Sequence, residues 1–92
     1  LSDVDRARGW VIEKLMCDFK FDIDEFVQRF GDLAPTILND AGYIAAADQD
    51  DFVYITHDTF GLSDKGKPFV RAIAAKFDTY FGQGNARHSK AV

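Results

Sequence analysis

Apolar positions in the first 19 residues recur every three to four: Ala7, Val11, Leu15 and Phe19 form one row, with Arg8, Ile12 and Met16 beside it. That period places one side of an α-helix against a core. Ser2 and Asp5 have capping-box spacing, so a first helix is expected over residues 3–18. Gly9 inside it costs about 1 kcal/mol relative to alanine, so Trp10, Ile12, Leu15 and Met16 must pack well to hold it.

Phe19-Lys20-Phe21 alternates like a short strand and meets Asp22, an N-cap with Glu25 three residues on, ahead of Phe26, Val27 and Phe30. A short second helix follows and Gly31 stops it. Asp32 can cap a third, with Pro35 in its first turn, Ile37, Leu38 and Ala41 on its inner side, and Gly42 at its end. Residues 43–47 and 52–56 are β-prone runs flanking the polar tetrapeptide Asp48-Gln49-Asp50-Asp51, which predicts a hairpin. Ser63 or Asp64 then caps a last helix through Phe81, striped by Phe69, Val70, Ile73, Phe77, Tyr80 and Phe81 and ended by Gly82. The expected fold is mainly α with a small β-hairpin, in the order of a winged helix with an added C-terminal helix.

Composition narrows the class. The chain has 92 residues, room for one core and one domain, and its 47% hydrophobic content with nine Phe is that of a globular protein. A single cysteine, Cys17, allows no internal disulfide, and with two histidines it cannot complete a four-ligand zinc site. No apolar run approaches the roughly 20 residues needed to span a bilayer, and the polar start Leu1-Ser2-Asp3 is unlike a signal peptide. These features predict a cytoplasmic protein, and a first residue other than Met predicts a piece of a longer one.

Charge is divided along the chain. Residues 1–64 hold five bases against fourteen acids, a sum of −9, while residues 65–92 hold six against one, a sum of +5. Such asymmetry points to interaction surfaces. In a winged helix the recognition helix enters the major groove and its Arg, Lys, Asn or Gln read bases while neighbouring cations grip phosphate. The segment Leu33 to Ala41 has no Lys or Arg, and the wing tip carries Asp48, Asp50 and Asp51. Phosphate would be repelled, so no nucleic-acid partner is expected.

Other candidates for chemistry have ordinary roles. Cys17, after Leu15-Met16, reads as a buried core thiol. His57 with Asp58 reads as a surface turn, since no Ser or Cys nucleophile adjoins it. Asp48 to Asp51 lack the ligand spacing and terminal Glu of an EF-hand loop. Asp22 and Glu25 are explained by capping. The basic helix carries Lys67, Arg71 and Lys76, which do not form one row. Arg71, joined by Arg87 and Lys90 from the tail, is the candidate contact to an acidic partner domain or a polycarboxylate, because a guanidinium holds carboxylate in a bidentate fork.

Three stretches carry a resemblance. Val11-Ile12-Glu13-Lys14-Leu15-Met16-Cys17, preceded by Leu1 to Arg6, looks like the start of the C-terminal domain of oxygen-independent coproporphyrinogen III oxidases, radical SAM enzymes of haem biosynthesis. Gly66-Lys67-Pro68-Phe69-Val70-Arg71, continuing to Phe77-Asp78-Thr79-Tyr80, resembles that family's Gly-Arg-x-Phe/Leu-Val/Ile-Arg helix and its Phe-Asp-x-Tyr ending. Arg87-His88-Ser89-Lys90 is similar to its closing Arg-aromatic-Ser-Lys/Arg motif. The chain departs from the pattern at His88, where an aromatic is common, and in a short stretch from Phe30 to Tyr43.

The resemblance implies an accessory domain, residues 1–92, packed on a catalytic radical SAM barrel of the same polypeptide. The family decarboxylates two propionates of coproporphyrinogen III to vinyl groups, giving protoporphyrinogen IX. It uses a 4Fe-4S cluster on a Cys-x-x-x-Cys-x-x-Cys motif, with S-adenosylmethionine. One cysteine cannot make that motif, so no cofactor, metal or catalytic residue is expected in this chain. Arg71, Arg87 and Lys90 are expected to face the barrel or the substrate's propionates. The readings to be tested against this are a winged-helix DNA-binding module and a non-enzymatic protein-interaction module.

Overall fold

A computed structural model describes residues 2–78. Helix α1 spans Asp3–Asp18 and strand β1 Lys20–Asp22. Helix α2 spans Ile23–Phe30, and a 3-10 turn at Gly31–Leu33 leads into α3, Ala34–Ala47. Strands β2, Val53–Ile55, and β3, Thr59–Leu62, precede a second 3-10 turn at Lys67–Phe69. The chain is helical again over residues 70–78, here called α4. The fold is thus mainly α with a small antiparallel sheet, as expected.

Local chemistry sets the first boundaries. Ser2 and Asp5 form the reciprocal capping box, Asp5 N–H donating to Ser2 Oγ at 3.1 Å and Ser2 N–H to the Asp5 carboxylate at 3.3 Å. Phe19, at φ 63°, ends α1 in the left-handed conformation, its N–H bonding Leu15 C=O at 3.0 Å. Asp22 caps α2 by accepting from Glu25 N–H at 2.8 Å.

Helix α3 departs from the expectation. It runs through Gly42 to Ala47, so residues 43–47 are helix rather than strand. The reason is burial: Ile44 continues the buried row of Ile37 and Ala41. Burying such a side chain, worth about 1.5–3 kcal/mol, outweighs the cost of about 1 kcal/mol for one helical glycine, and the alanines that follow favour helix. Asp32 is no cap either; it lies in the 3-10 turn, and α3 starts from Leu33 without a side-chain cap.

The hairpin is therefore a different one. Strand β2 pairs with β3, in the register Val53↔Leu62, Tyr54↔Gly61 and Ile55↔Phe60. Strand β1 takes the other side of β3, with Lys20↔Gly61, Phe21↔Phe60 and Asp22↔Thr59, giving the order β1-β3-β2. The connecting turn is Thr56-His57-Asp58. Thr56 Oγ1 donates to Asp58 Oδ1 at 3.0 Å and accepts from Thr59 N–H at 3.1 Å, while Thr59 Oγ1 also donates to Asp58 Oδ1 at 3.0 Å. The acidic tetrapeptide instead links α3 to β2, where Asp48 accepts from Val53 N–H at 2.9 Å and Asp51 takes φ 59°.

All these elements turn apolar side chains onto one core. Phe21 stacks on Phe60 at 5.6 Å, Phe60 meets Phe77 of α4 edge-on at 5.7 Å, and Trp10 stacks on Phe26 at 5.6 Å. On α1 the buried positions are Ala7, Arg8, Val11 and Leu15. Met16 and Cys17, one and two residues past Leu15, rotate about 100° and 200° from it and are exposed, so neither belongs to the core.

Candidate functional site

The basic segment begins at a turn that has one structural requirement. Ser63 Oγ accepts from Gly66 N–H at 3.2 Å and donates to Asp51 C=O at 2.6 Å, and Ser63 N–H donates to Phe52 C=O at 2.9 Å. The strand end and the turn are thereby clamped face to face. A Cβ at Gly66 would collide with the Phe52 carbonyl oxygen and lie 2.8 and 2.9 Å from its C and Cα. Glycine is needed here for close approach. The expected cap Ser63 serves this turn, and regular α-helix starts only after the 3-10 turn; the expected end at Phe81 and Gly82 lies outside the described residues.

Helix α4 buries Ile73, Ala74 and Phe77 and leaves Arg71 and Lys76 exposed. Five residues apart, the two cations lie about 140° from each other around the helix and do not share a face. Lys67 pairs with Asp64 at 3.2 Å, and its Nζ sits 5.4 Å from the centre of the Phe19 ring. Among the described residues Arg71 has no carboxylate within ion-pair distance. Arg87 and Lys90 lie outside the described residues. Arg71 is thus a surface cation at the start of α4.

The other candidates are separated from one another. His57 is exposed in the hairpin turn, its Nε2 3.7 Å from Asp58. The Asp58 carboxyl is held below its ordinary value by hydrogen bonds from Thr59 and then Thr56, a turn-forming role. Asp5 is likewise lowered by its capping bonds with Ser2. Among the described residues no three His, Cys, Asp or Glu side chains gather as a metal site, and the chain's one thiol cannot supply the three that an iron-sulfur cluster of the resembled family takes. The residues present do not fit that group. Among the described residues, no helix is long and apolar enough to cross a membrane.

Two polar features emerged only in the folded chain. Arg8 and Asp40 are buried, 3% and 7% exposed, and face each other at 3.8 Å between α1 and α3. Their signal was in the sequence: each sits on an otherwise apolar stripe, Arg8 beside Ala7 and Val11, Asp40 beside Ile37, Ala41 and Ile44. The second is an open groove of 410 Å³ beside β1, where Lys14, Lys20, Asp18, Asp22 and Glu25 mix both charges and form no single-sign field.

These features define the class: a small helical domain with a sheet, whose described residues hold surface cations and a buried ion pair but no acid-base or metal constellation. No protein-family model matches the chain. Homology supplies the particulars. The chain is 32% identical over its full length to the oxygen-independent coproporphyrinogen III oxidase of Bradyrhizobium diazoefficiens, and it spans 20% of that protein. It is 36% identical over 91% of its length to the enzyme of that name from Cereibacter sphaeroides, spanning 18% of it. Its structure resembles that of Escherichia coli coproporphyrinogen III oxidase, a radical SAM enzyme, with a TM-score of 0.74 and 28% identity, over 87% of this chain and 19% of that one. The chain is a homologue, from end to end, of about one fifth of an oxygen-independent coproporphyrinogen III oxidase.

Proposed function

We propose that residues 1–92 are the C-terminal accessory domain of a radical SAM coproporphyrinogen III oxidase. The rest of that polypeptide would be the catalytic barrel, with a 4Fe-4S cluster and S-adenosylmethionine, and would convert coproporphyrinogen III to protoporphyrinogen IX in the cytoplasm. The domain packs on the barrel and is not active alone. The observation that carries this reading is the end-to-end match at 32% identity to one fifth of such an enzyme. The element order helix, strand, two helices and hairpin supports a winged-helix-like description, used here for packing, since a fold does not dictate a function.

A nucleic-acid role has no support in α3. Its exposed positions carry no cation, and its one acid, Asp40, turns inward to Arg8. Phosphate affinity needs exposed cations on the reading element.

Within this reading Arg71, with Arg87 and Lys90, faces the barrel or the substrate's propionates. Arg71 is exposed and has no carboxylate partner among the described residues, which leaves its guanidinium available. A charge-assisted hydrogen bond is worth about 1.5–3 kcal/mol, so Arg71→Ala in the full-length enzyme should raise KM about 10- to 100-fold. The cluster's visible absorption should stay unchanged. Unaltered kinetics together with unaltered domain docking would remove Arg71 from this role.

A further inference from the structure

Strand β2 is an edge of the sheet, paired with β3 on one side only. The bonds from Thr56 N–H to Thr59 C=O at 2.8 Å and from Ser63 N–H to Phe52 C=O at 2.9 Å turn the backbone of residues 52 and 56 toward β3. Backbone groups alternate along a strand, so those of Val53 and Ile55 point away from β3. Val53 N–H is taken by the Asp48 carboxylate at 2.9 Å. Among the described residues, Val53 C=O and both backbone groups of Ile55 are left without a hydrogen bond.

The side chains at this edge do not shield it. Sheet edges are commonly protected by Lys, Pro or other charged residues. On β1, bonds from Leu62 N–H to Phe19 C=O and from Ile23 N–H to Asp58 C=O leave the backbone of Lys20 and Asp22 facing outward, and both are charged. Strand β2 reads Val53-Tyr54-Ile55, with neither charge nor proline. Ile55 also ends a row, since Phe21, Phe60 and Ile55 stand opposite one another across the three strands and so share one face. Phe21 and Phe60 are 3% and 0% exposed, whereas Ile55 is 44% exposed. The core layer thus ends open at β2.

We propose that an extended segment from the remainder of the same polypeptide pairs with β2 as a fourth strand. This rests on the reading of the chain as one domain of a longer oxidase, the chain spanning 20% of its Bradyrhizobium relative. A strand satisfies the open backbone groups and sets a side chain beside Ile55, whereas a packed helix has its own backbone groups bonded internally. The shortness of the edge selects a tethered occupant. A stable interface between free partners buries about 1,200–2,000 Å², more than one strand of this length covers, which argues against a second copy. A tethered segment needs less contact, because its effective concentration is on the order of millimolar.

Amide hydrogen exchange of the full-length protein, resolved to single residues, tests it. Ile55 N–H should exchange roughly 100-fold or more slowly than in an unstructured peptide, at every protein concentration. Ile55→Pro removes a donor that the described domain does not use, as proline at a sheet edge can. In that variant one segment outside residues 1–92 should lose protection, while Leu62 N–H, bonded to Phe19 C=O, keeps it. Should Leu62 lose protection too, Ile55→Lys is the second variant, keeping the N–H and placing a charge at the end of the row. Small-angle scattering of the same protein reports separately whether the domains form one body. Ile55 exchanging at peptide rates in a protein that scatters as one compact body means docking by another surface: this proposal falls and the domain reading stands. Peptide rates with two independently moving bodies would end both. Protection that fades on dilution gives the edge to a second copy, and release of residues 79–92 gives it to this chain's own tail; either overturns the proposal. So does protection with no segment released, which means side-chain cover without a strand.

Discussion

Replacing Gly66 with alanine adds one methyl group where the backbone of another segment already lies. The new Cβ would collide with Phe52 C=O and stand 2.8 Å from the carbonyl carbon, so the turn and the strand end must separate. Separation loosens the Ser63 N–H to Phe52 C=O bond of 2.9 Å, worth about 0.5–1.5 kcal/mol. It also disturbs the Phe52–Phe69 stack, worth about 0.5–1.5 kcal/mol. The overpacking itself costs about 1–3 kcal/mol. These terms overlap, and Gly66→Ala should cost about 2–4 kcal/mol in total. Urea unfolding followed by the fluorescence of Trp10, which packs on Phe21, Phe26 and Phe30, measures it. The control is Gly42→Ala, where a Cβ has nothing within 4 Å in the middle of α3. That change should stabilise by about 1 kcal/mol. A Gly66→Ala variant within about 0.5 kcal/mol of the parent, the size of an ordinary surface substitution, would refute the argument that this glycine is held by contact.

The buried pair gives a second prediction: Asp40→Leu removes the carboxylate that Arg8 faces and should cost about 3–5 kcal/mol, whereas Arg8→Met with Asp40→Leu should recover most of it. Simple addition of the two single effects in denaturant titrations would contradict coupling between them. Asp5 and Asp58 have carboxyls lowered from 3.8, so their contribution is present above the unfolded value and is lost as pH falls below about 3.8. Carbon-13 carboxyl titration should show Asp5 rise toward its ordinary value in Ser2→Ala, which removes the hydroxyl bond and keeps the backbone one, and an unmoved Asp5 would show that the side-chain capping bond is not the main cause.

Much of the local architecture was legible because it is encoded by neighbours. The Ser2 and Asp5 box, the Asp22 cap and the inward stripe of Ile73 and Phe77 follow from spacing alone, and each is where the pattern put it. The misreadings share another cause. Residues 43–47 have a β-prone start, yet Ile44 is fixed as helical by a core that α1 and β3 help to build. Cys17 adjoins apolar residues in sequence but turns to solvent because burial on a helix follows angle, not adjacency. Strand β3 was missed since Thr-Phe-Gly-Leu is short and contains glycine; its two neighbours make it the central strand.

For the site, the sequence by itself determined the charge division, the single thiol and the residues that carry the family likeness. It could name Arg71 as a candidate and exclude a cluster, because composition bounds what ligands exist. Only the tertiary structure decided that Arg71 is exposed while Arg8 is buried against Asp40, and that Phe52 stacks on Phe69. Those two pairings join residues 32 and 17 positions apart, and such pairings are set by the packing of whole elements around one core rather than by the local preferences of either partner.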